Sequence, residues 1–160
     1  AFVLLVLAVI WLSMVEGGQA ALVGLPPVDK ELYKESHPKT YKCTILAHKG
    51  DNLDRYLIGR QFLVVLIVFI INLSGRPLPG TTVLGLPDIV QKIFLDSGVA
   101  MILMTTNIGQ LASQVNASHC MLDFINNCLA LYTLYIALAI EFSGVLHSVY
   151  VVQMFFRFVS

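Results

Sequence analysis

Residues 57–74 read Leu57-Ile-Gly-Arg-Gln-Phe-Leu-Val-Val-Leu-Ile-Val-Phe-Ile-Ile-Asn-Leu-Ser74, and this stretch decides the fold. A helix that crosses a bilayer needs about 20 mostly apolar residues, and all of its backbone polar groups must pair within the segment. Three more stretches meet or approach that length: Phe2 to Val15, Ile89 to about Val115, and Cys128 to about Val152. The run from Ile89 is the most polar of the set; the one from Cys128 is long enough to cross with some tilt. The run from Phe2 has no initiator Met, no basic flank and no small-residue cleavage site, so it does not read as a signal peptide. It is expected to be a spanning helix truncated at its start.

Composition agrees. The chain has 160 residues, 10 Lys+Arg against 10 Asp+Glu, 57% hydrophobic and 12% charged residues, and a mean hydropathy of +0.78. A soluble domain carries roughly 25% charged residues. So large an apolar excess does not fit inside one soluble core, which argues against a soluble enzyme. Nor is there a basic stripe to displace counterions from nucleic acid. Catalytic signatures such as Gly-x-Ser-x-Gly, His-Glu-x-x-His and the phosphate loop do not occur. Cys43, Cys120 and Cys128 are too few for a disulfide scaffold, and their spacing matches no closed zinc site. The expected class is therefore an all-α, polytopic integral membrane protein with about four transmembrane helices, in regions 1–23, 57–74, 89–115 and 128–152.

Region 24–56 differs in character. It holds Lys30, Lys34, Lys39, Lys42, Lys49 and Arg55, six of the ten cations, with five of the ten acids. Pro26-Pro27 stops the preceding helix, residues 29–35 suit a short surface helix, and Gly50 to Asp54 suit a turn followed by an N-cap. In that cap Asp51 would accept an orphan amide and Asp54 would favour the positive helix end, so the second membrane helix begins near Asn52. Ser74-Gly-Arg-Pro-Leu-Pro-Gly80 reads as a loop. Cations in short loops favour the cytoplasm. That places 24–56 and 113–127 inside and 75–91 outside, and Asn116-Ala-Ser118, an acceptor pattern for glycosylation like Asn72-Leu-Ser74, would go unused.

Ionisable groups at membrane depth are costly and need a partner or a wet cavity. Three stand out: Glu16 in Glu16-Gly17-Gly18-Gln19, Arg60 in Gly59-Arg60-Gln61, and Glu141 in the last helix. Glu16 and Arg60 fall at similar depth on one side of the membrane, either as a structural salt bridge or as part of a binding site. Gly permits close approach of backbone or ligand, and Gln offers both donors and acceptor. Such a cluster suits a small, neutral, polyhydroxylated solute. Thr133, Ala137, Glu141, Gly144 and Ser148 share one helix face, a stripe that lets another backbone approach and turns Glu141 toward protein or water. Leu138, Phe142, Leu146 and Val149 lie opposite. Thr106, Gln110 and Ser113, flanked by Asn107 and Gln114, form a second stripe, read as interhelical contacts. Cys120 and Asp123, even with His119, supply at most three ligands where structural zinc wants four. His37, Cys43 and His48 read as surface residues of a loop.

Glu16-Gly-Gly-Gln19, Gly59-Arg-Gln61 and Cys120-Met-Leu-Asp123 resemble the signature motifs of the diatom silicic acid transporters. So does the text between them: Val23-Gly-Leu-Pro-Pro-Val-Asp29, Ala47-His-Lys-Gly-Asp-Asn-Leu-Asp-Arg55, Gln114-Val-Asn-Ala-Ser-His119 and Ala139-Ile-Glu-Phe-Ser-Gly144. The resemblance covers essentially the whole chain. It implies a sodium-coupled importer of orthosilicic acid for silica cell-wall formation, in the plasma membrane or intracellular vesicle membranes. Ten helices in two halves are implied, each half carrying one Glu-Gly-x-Gln and one Gly-Arg-Gln. One such pair is present here, so the chain is expected to be a piece of the first half, with the remaining half as its partner and the site at their interface. By the same resemblance Glu16, Gly17, Gln19, Gly59, Arg60 and Gln61 would contact the solute. Orthosilicic acid is uncharged at neutral pH, so hydrogen bonds would hold it. Sodium, the implied coupling ion, prefers oxygen ligands, for which Asp123 and Glu141 are candidates; no other cofactor or metal is expected. A passive channel for the same solute and a non-transporting scaffold or sensor are the competing readings.

Overall fold

A computed structural model describes residues 2–26, 28–75, 85, 87–147, 151, 154, 155 and 158. Two long helices set the frame, α1 (Phe2–Gly24) and α3 (Asn52–Ser74), each 23 residues. At 1.5 Å per residue each spans about 34 Å, enough for the hydrocarbon core. Neither has a polar face. Both are apolar around most of the circumference, as in a membrane span, and bury only one side against neighbouring helices. That side meets in one cluster of Ala8, Val9, Leu12 and Val15 with Leu63, Val64, Ile67 and Ile71. The early residues of α1 thus face the late residues of α3, and the two helices run antiparallel.

The segment between them is not all loop. A 3-10 turn (Lys30–Tyr33) is capped by Asp29, whose side chain accepts from the Glu31 amide, and α2 (Pro38–Ala47) follows with proline in its first turn. Asp51, expected to cap α3 through its carboxylate, makes no such bond; Asn52 instead donates to Leu46 O at 2.9 Å. Cys43, expected at a loop surface, is 1% exposed and packs with Ala21, Leu22, Ala47 and Tyr56. Burial pushes its thiol up to about 11, since an apolar surrounding disfavours the thiolate.

The third expected span is broken. Helix α4 (Asp88–Asp96) and helix α5 (Val99–His119) meet at a 54° bend instead of forming one rod over 89–115. Gly98 takes the left-handed conformation at φ 79°. That ends α4, where Gly98 N–H donates to Leu95 O in a tightened turn and Ser97 N–H to Lys92 O across a wider π turn. Both segments contain π turns, Gln91–Asp96 and Thr105–Leu111. Along α5, Gly109 lies on Leu12, Ser113 O beside Gly17, and Gln114 on Glu16. Residue numbers rise together, so α5 runs parallel to α1 and antiparallel to α3.

A single turn, α6 (Met121–Phe124), leads to α7 (Cys128–Phe142), which Asn127 caps by accepting from the Ala130 amide. The expected helix over 128–152 therefore ends at Phe142. Gly144 at φ 81° turns the chain, and 15 residues span about 22 Å, short of a full crossing. Of the face opposite the small-residue stripe, expected to meet lipid or neighbours, Phe142 is exposed and Leu138 packs partly into the core; Val149, and Ser148 of the stripe, lie outside the described residues. Among the described residues the molecule is thus a helical bundle with two full spans, or three if the bent pair counts as one, plus a shorter apolar helix. The connections 25–51 and 120–127 sit at the same end. Three bonds join them: His37 Nε2 to Asp123 Oδ1 at 3.0 Å, Lys39 N to Asn126 Oδ1 at 3.1 Å and Thr40 Oγ1 to Leu122 O at 2.6 Å. Both glycosylation patterns begin within helices, Asn72 in α3 and Asn116 in α5.

Candidate functional site

Glu16 lies eight residues before the end of α1 and Arg60 eight residues after the start of α3, so antiparallel packing brings them to one depth. Both are buried, Glu16 to 6% and Arg60 to 7% exposure. Arg60 Nη1 stands 3.1 Å from Glu16 Oε2. The attraction is Coulombic, for the N–H bonds of Arg60 do not aim at that oxygen: Nε and Nη1 are buried with no hydrogen-bond acceptor among the described residues. Nη2 donates to Gln61 Oε1 at 3.1 Å. Glu16 Oε2 accepts instead from Gln114 Nε2, at 2.8 Å, across from α5. Glu16 Oε1 is engaged by neither neighbour.

Two open donors on a buried guanidinium are costly. An unsatisfied buried polar group costs about 1–3 kcal/mol, and more when charged. Native proteins retain few such groups, and those they keep call for a reason beyond stability. A solute presenting oxygen acceptors to Nε and Nη1 would satisfy both nitrogens at once.

The glycines of the two motifs have a different task. A Cβ on Gly59 would fall 1.9 Å from Ala137 O and 2.7 Å from Ala137 C, so α3 and α7 touch backbone to backbone there. A Cβ on Gly17 would fall 2.3 Å from the Phe124 ring and 2.9 Å from Ser113 O. These glycines let helices approach, and the chemistry falls to their neighbours. Gln19 is half-buried and Gln61 exposed. Gln61 lies in an apolar groove of about 530 Å³ with Leu57, Ile58, Phe62, Val65 and Leu146. A second cavity, of about 510 Å³, lies at the α4–α5 break beside Asn72, Gly75, Asp96 and Gly98. Neither is lined by Glu16 or Arg60.

Glu141 belongs to a separate ion pair. It is 3% exposed and accepts from Arg55 Nε at 2.7 Å, with His147 Nε2 3.9 Å from its other oxygen. Its face of α7 packs on the first two spans: Thr133 accepts from Trp11 Nε1 at 3.0 Å, and Ala137 meets Gly59. That stripe stops after Glu141, because Gly144 lies beyond the helix; Ser148 is outside the described residues. Asp123 is 80% exposed in its side chain and bonded to His37. The two acids named for an ion, Asp123 and Glu141, therefore have different partners and are not brought together.

On α5 the buried positions are Thr105, Gly109, Ser113 and Ala117, one step of four after another. The expected stripe of Thr106, Gln110 and Ser113 shares only Ser113 with it, and Asn107 is exposed, bonded to Leu103 O. Gln114, read only as a flank, is the α5 residue that reaches the site. The i, i+4 series of small side chains would have aimed the helix correctly, whereas the count of polar residues did not.

A family model described as Silicon transporter matches residues 1–160, the whole chain. No curated protein and no solved structure matches significantly.

Proposed function

The chain belongs to the silicon transporter family, and from that premise we propose that Glu16, Arg60 and Gln61, with Gln19 alongside, form the first-half portion of an orthosilicic acid site in a sodium-coupled secondary importer. It is a helical integral membrane protein whose family moves silicic acid. Sodium coupling, import across the plasma membrane and a second half that completes the site are the finer parts of the proposal. One observation carries the site: a buried Arg60 side chain, 9% exposed, whose Nε and Nη1 find no acceptor among the described residues, beside the buried Glu16 carboxylate. Uncharged Si(OH)4 offers four oxygens as acceptors and four hydroxyls as donors, and a polar network in low dielectric rewards full satisfaction. Ion pairing would add little for such a solute, and the neutral sum of Glu16 and Arg60 matches its lack of charge. Gly17 and Gly59 support the site by drawing the helices together.

For the coupling ion we propose Glu141 ahead of Asp123. Glu141 is buried, and its partner Arg55 is 36% exposed in its side chain, so a cation would take the place of a guanidinium that can turn to water. The experiment is uptake of orthosilicic acid into vesicles holding the full-length transporter that carries this sequence, with and without an inward sodium gradient. The expected result is gradient-dependent entry, reduced by Gln61→Leu and abolished by Arg60→Leu in protein that still folds. Sodium-indifferent entry would establish a channel, and no entry a scaffold. Full uptake by Arg60→Leu would remove this pocket from the pathway.

A further inference from the structure

We propose that Gln114 is a positioning residue that fixes the Glu16 carboxylate beside the Arg60 guanidinium in an orientation that the Nε–H and Nη1–H bonds do not meet, and so keeps the solute donors open. The inference rests on the reading of this pocket as the solute site. An arginine and a carboxylate left to themselves in a dry site pair fork to fork, with two parallel N–H···O bonds. That pairing would satisfy Nε or Nη1 and close the pocket to any solute. It does not form here, although Nη1 and Oε2 are only 3.1 Å apart. What turns the carboxylate is the 2.8 Å bond that Glu16 Oε2 accepts from Gln114 Nε2, from a different helix and a different direction. Gln61 Oε1 anchors the far edge of the guanidinium through Nη2, so Arg60 cannot swing round to meet the turned carboxylate. Two neutral amides therefore hold a close ion pair out of hydrogen-bonding alignment.

Gln114 itself is held firmly. Its neighbour Ser113 is 5% exposed, donates to Gly109 O, and has its own carbonyl against Gly17. The π turn Thr105–Leu111 sits one turn earlier and sets the rotation of the helix that delivers Gln114. A π turn inserts one residue into a helix and recurs at functional sites for that reason. Sliding or rotating α5 along α1 withdraws Gln114, lets Glu16 close on Arg60 and expels the solute. Helix movement and solute release are linked through one hydrogen bond.

The test is made on the full-length transporter in nanodiscs, with 15N-labelled arginine and orthosilicic acid as the probe. The Arg60 Nε–H resonance, identified by its loss in Arg60→Lys, reports directly whether that group has an acceptor. Without solute, Gln114→Leu is expected to shift this resonance and slow its exchange with water, because Glu16 now accepts from it. Affinity for orthosilicic acid falls by about tenfold or more, the worth of a charge-assisted hydrogen bond. In a Glu16→Gln background the same Gln114→Leu change costs less than about twofold, for no charged carboxylate is left to close the fork. An unmoved resonance in Gln114→Leu overturns the proposal, as does an equal loss of affinity in both backgrounds. The resonance measurement needs no change at Glu16 and so decides the matter even where Glu16→Gln fails to fold. If Gln114→Leu moves the resonance but orthosilicic acid does not move it in the unaltered protein, the positioning role stands and the solute reading falls.

Discussion

Replacing Gly59 by Ala tests how the two motifs divide their labour. The added Cβ would sit 1.9 Å from Ala137 O and 2.7 Å from Ala137 C, both backbone atoms. Ordinary contact between such atoms needs about 3.5 Å, so α3 and α7 must part by about 1.5 Å at their crossing. No rotamer change relieves this, since no flexible side chain is involved. Overpacking in a tight interior costs about 1–3 kcal/mol, and a backbone clash lies at the upper end. The separation also pulls on the 2.7 Å Arg55–Glu141 bond one turn away. Gly17→Ala is the internal comparison: its Cβ would strike the Phe124 ring at 2.3 Å, which can swing aside, though Ser113 O at 2.9 Å remains. Thermal unfolding in detergent, read by tryptophan fluorescence at Trp11, should place Gly59→Ala about 3 kcal/mol below the unaltered protein and Gly17→Ala about 1–2 kcal/mol below. Gly59→Ala with unchanged stability would refute the backbone contact, and Gly59 would then have to be explained by the solute.

Three other outcomes follow from the geometry. Arg55→Leu removes the guanidinium 2.7 Å from the buried Glu141 carboxylate. It should cost about 2–3 kcal/mol, while Glu141→Gln, which frees a half-exposed Arg55 to reach water, should cost about 1 kcal/mol; equal losses in chemical denaturation would contradict the asymmetry. Exposed Cys120 and Cys128 should take up a thiol-directed maleimide at neutral pH, and buried Cys43 should not. Its pKa is raised above the unfolded value of 9.0, so the neutral thiol favours the fold at any pH below 9; that contribution declines as pH climbs toward about 11, where mass spectrometry should first find Cys43 labelled. Asp123→Asn removes a partner of His37 whose side chain is 80% exposed, and should change stability by less than about 1 kcal/mol; a larger drop in melting would place Asp123 in a network the geometry lacks.

Reading the chain without coordinates works where local rules act alone. Leu57 to Ser74 has to be helical in lipid because no other partner exists for its backbone, and Asn127 and Asp29 cap their turns as short polar side chains do. The pairing of Glu16 with Arg60 is legible too, because two charges at one depth in an apolar wall have few alternatives. Other features depend on neighbours. Ser97-Gly98 interrupts a helix at a 54° bend that the apolar run does not announce, and Gly98 permits it through its positive φ. Gly144 similarly permits, but does not announce, the end of α7 at Phe142. Cys43 and α2 become core only because the segment folds back onto 120–127, a contact of high sequence separation that no window detects.

Gln114 shows the same limit at the site itself, and shows why it matters for function. A glutamine in a helix reads as interhelical contact, and its value depends on which oxygen it reaches. Glu16 stands where α1 meets two helices of opposite sense, the antiparallel α3 that carries Arg60 and the parallel α5 that carries Gln114. In the orientation observed the ion pair is close, yet Nε and Nη1 keep their N–H bonds open; in the second orientation that the proposed mechanism requires, they donate to the carboxylate. A broken, π-containing helix supplies the donor that chooses between them. In the proposed mechanism α5 and the solute donors thus meet at a single oxygen atom, Glu16 Oε2, through which helix motion would change affinity.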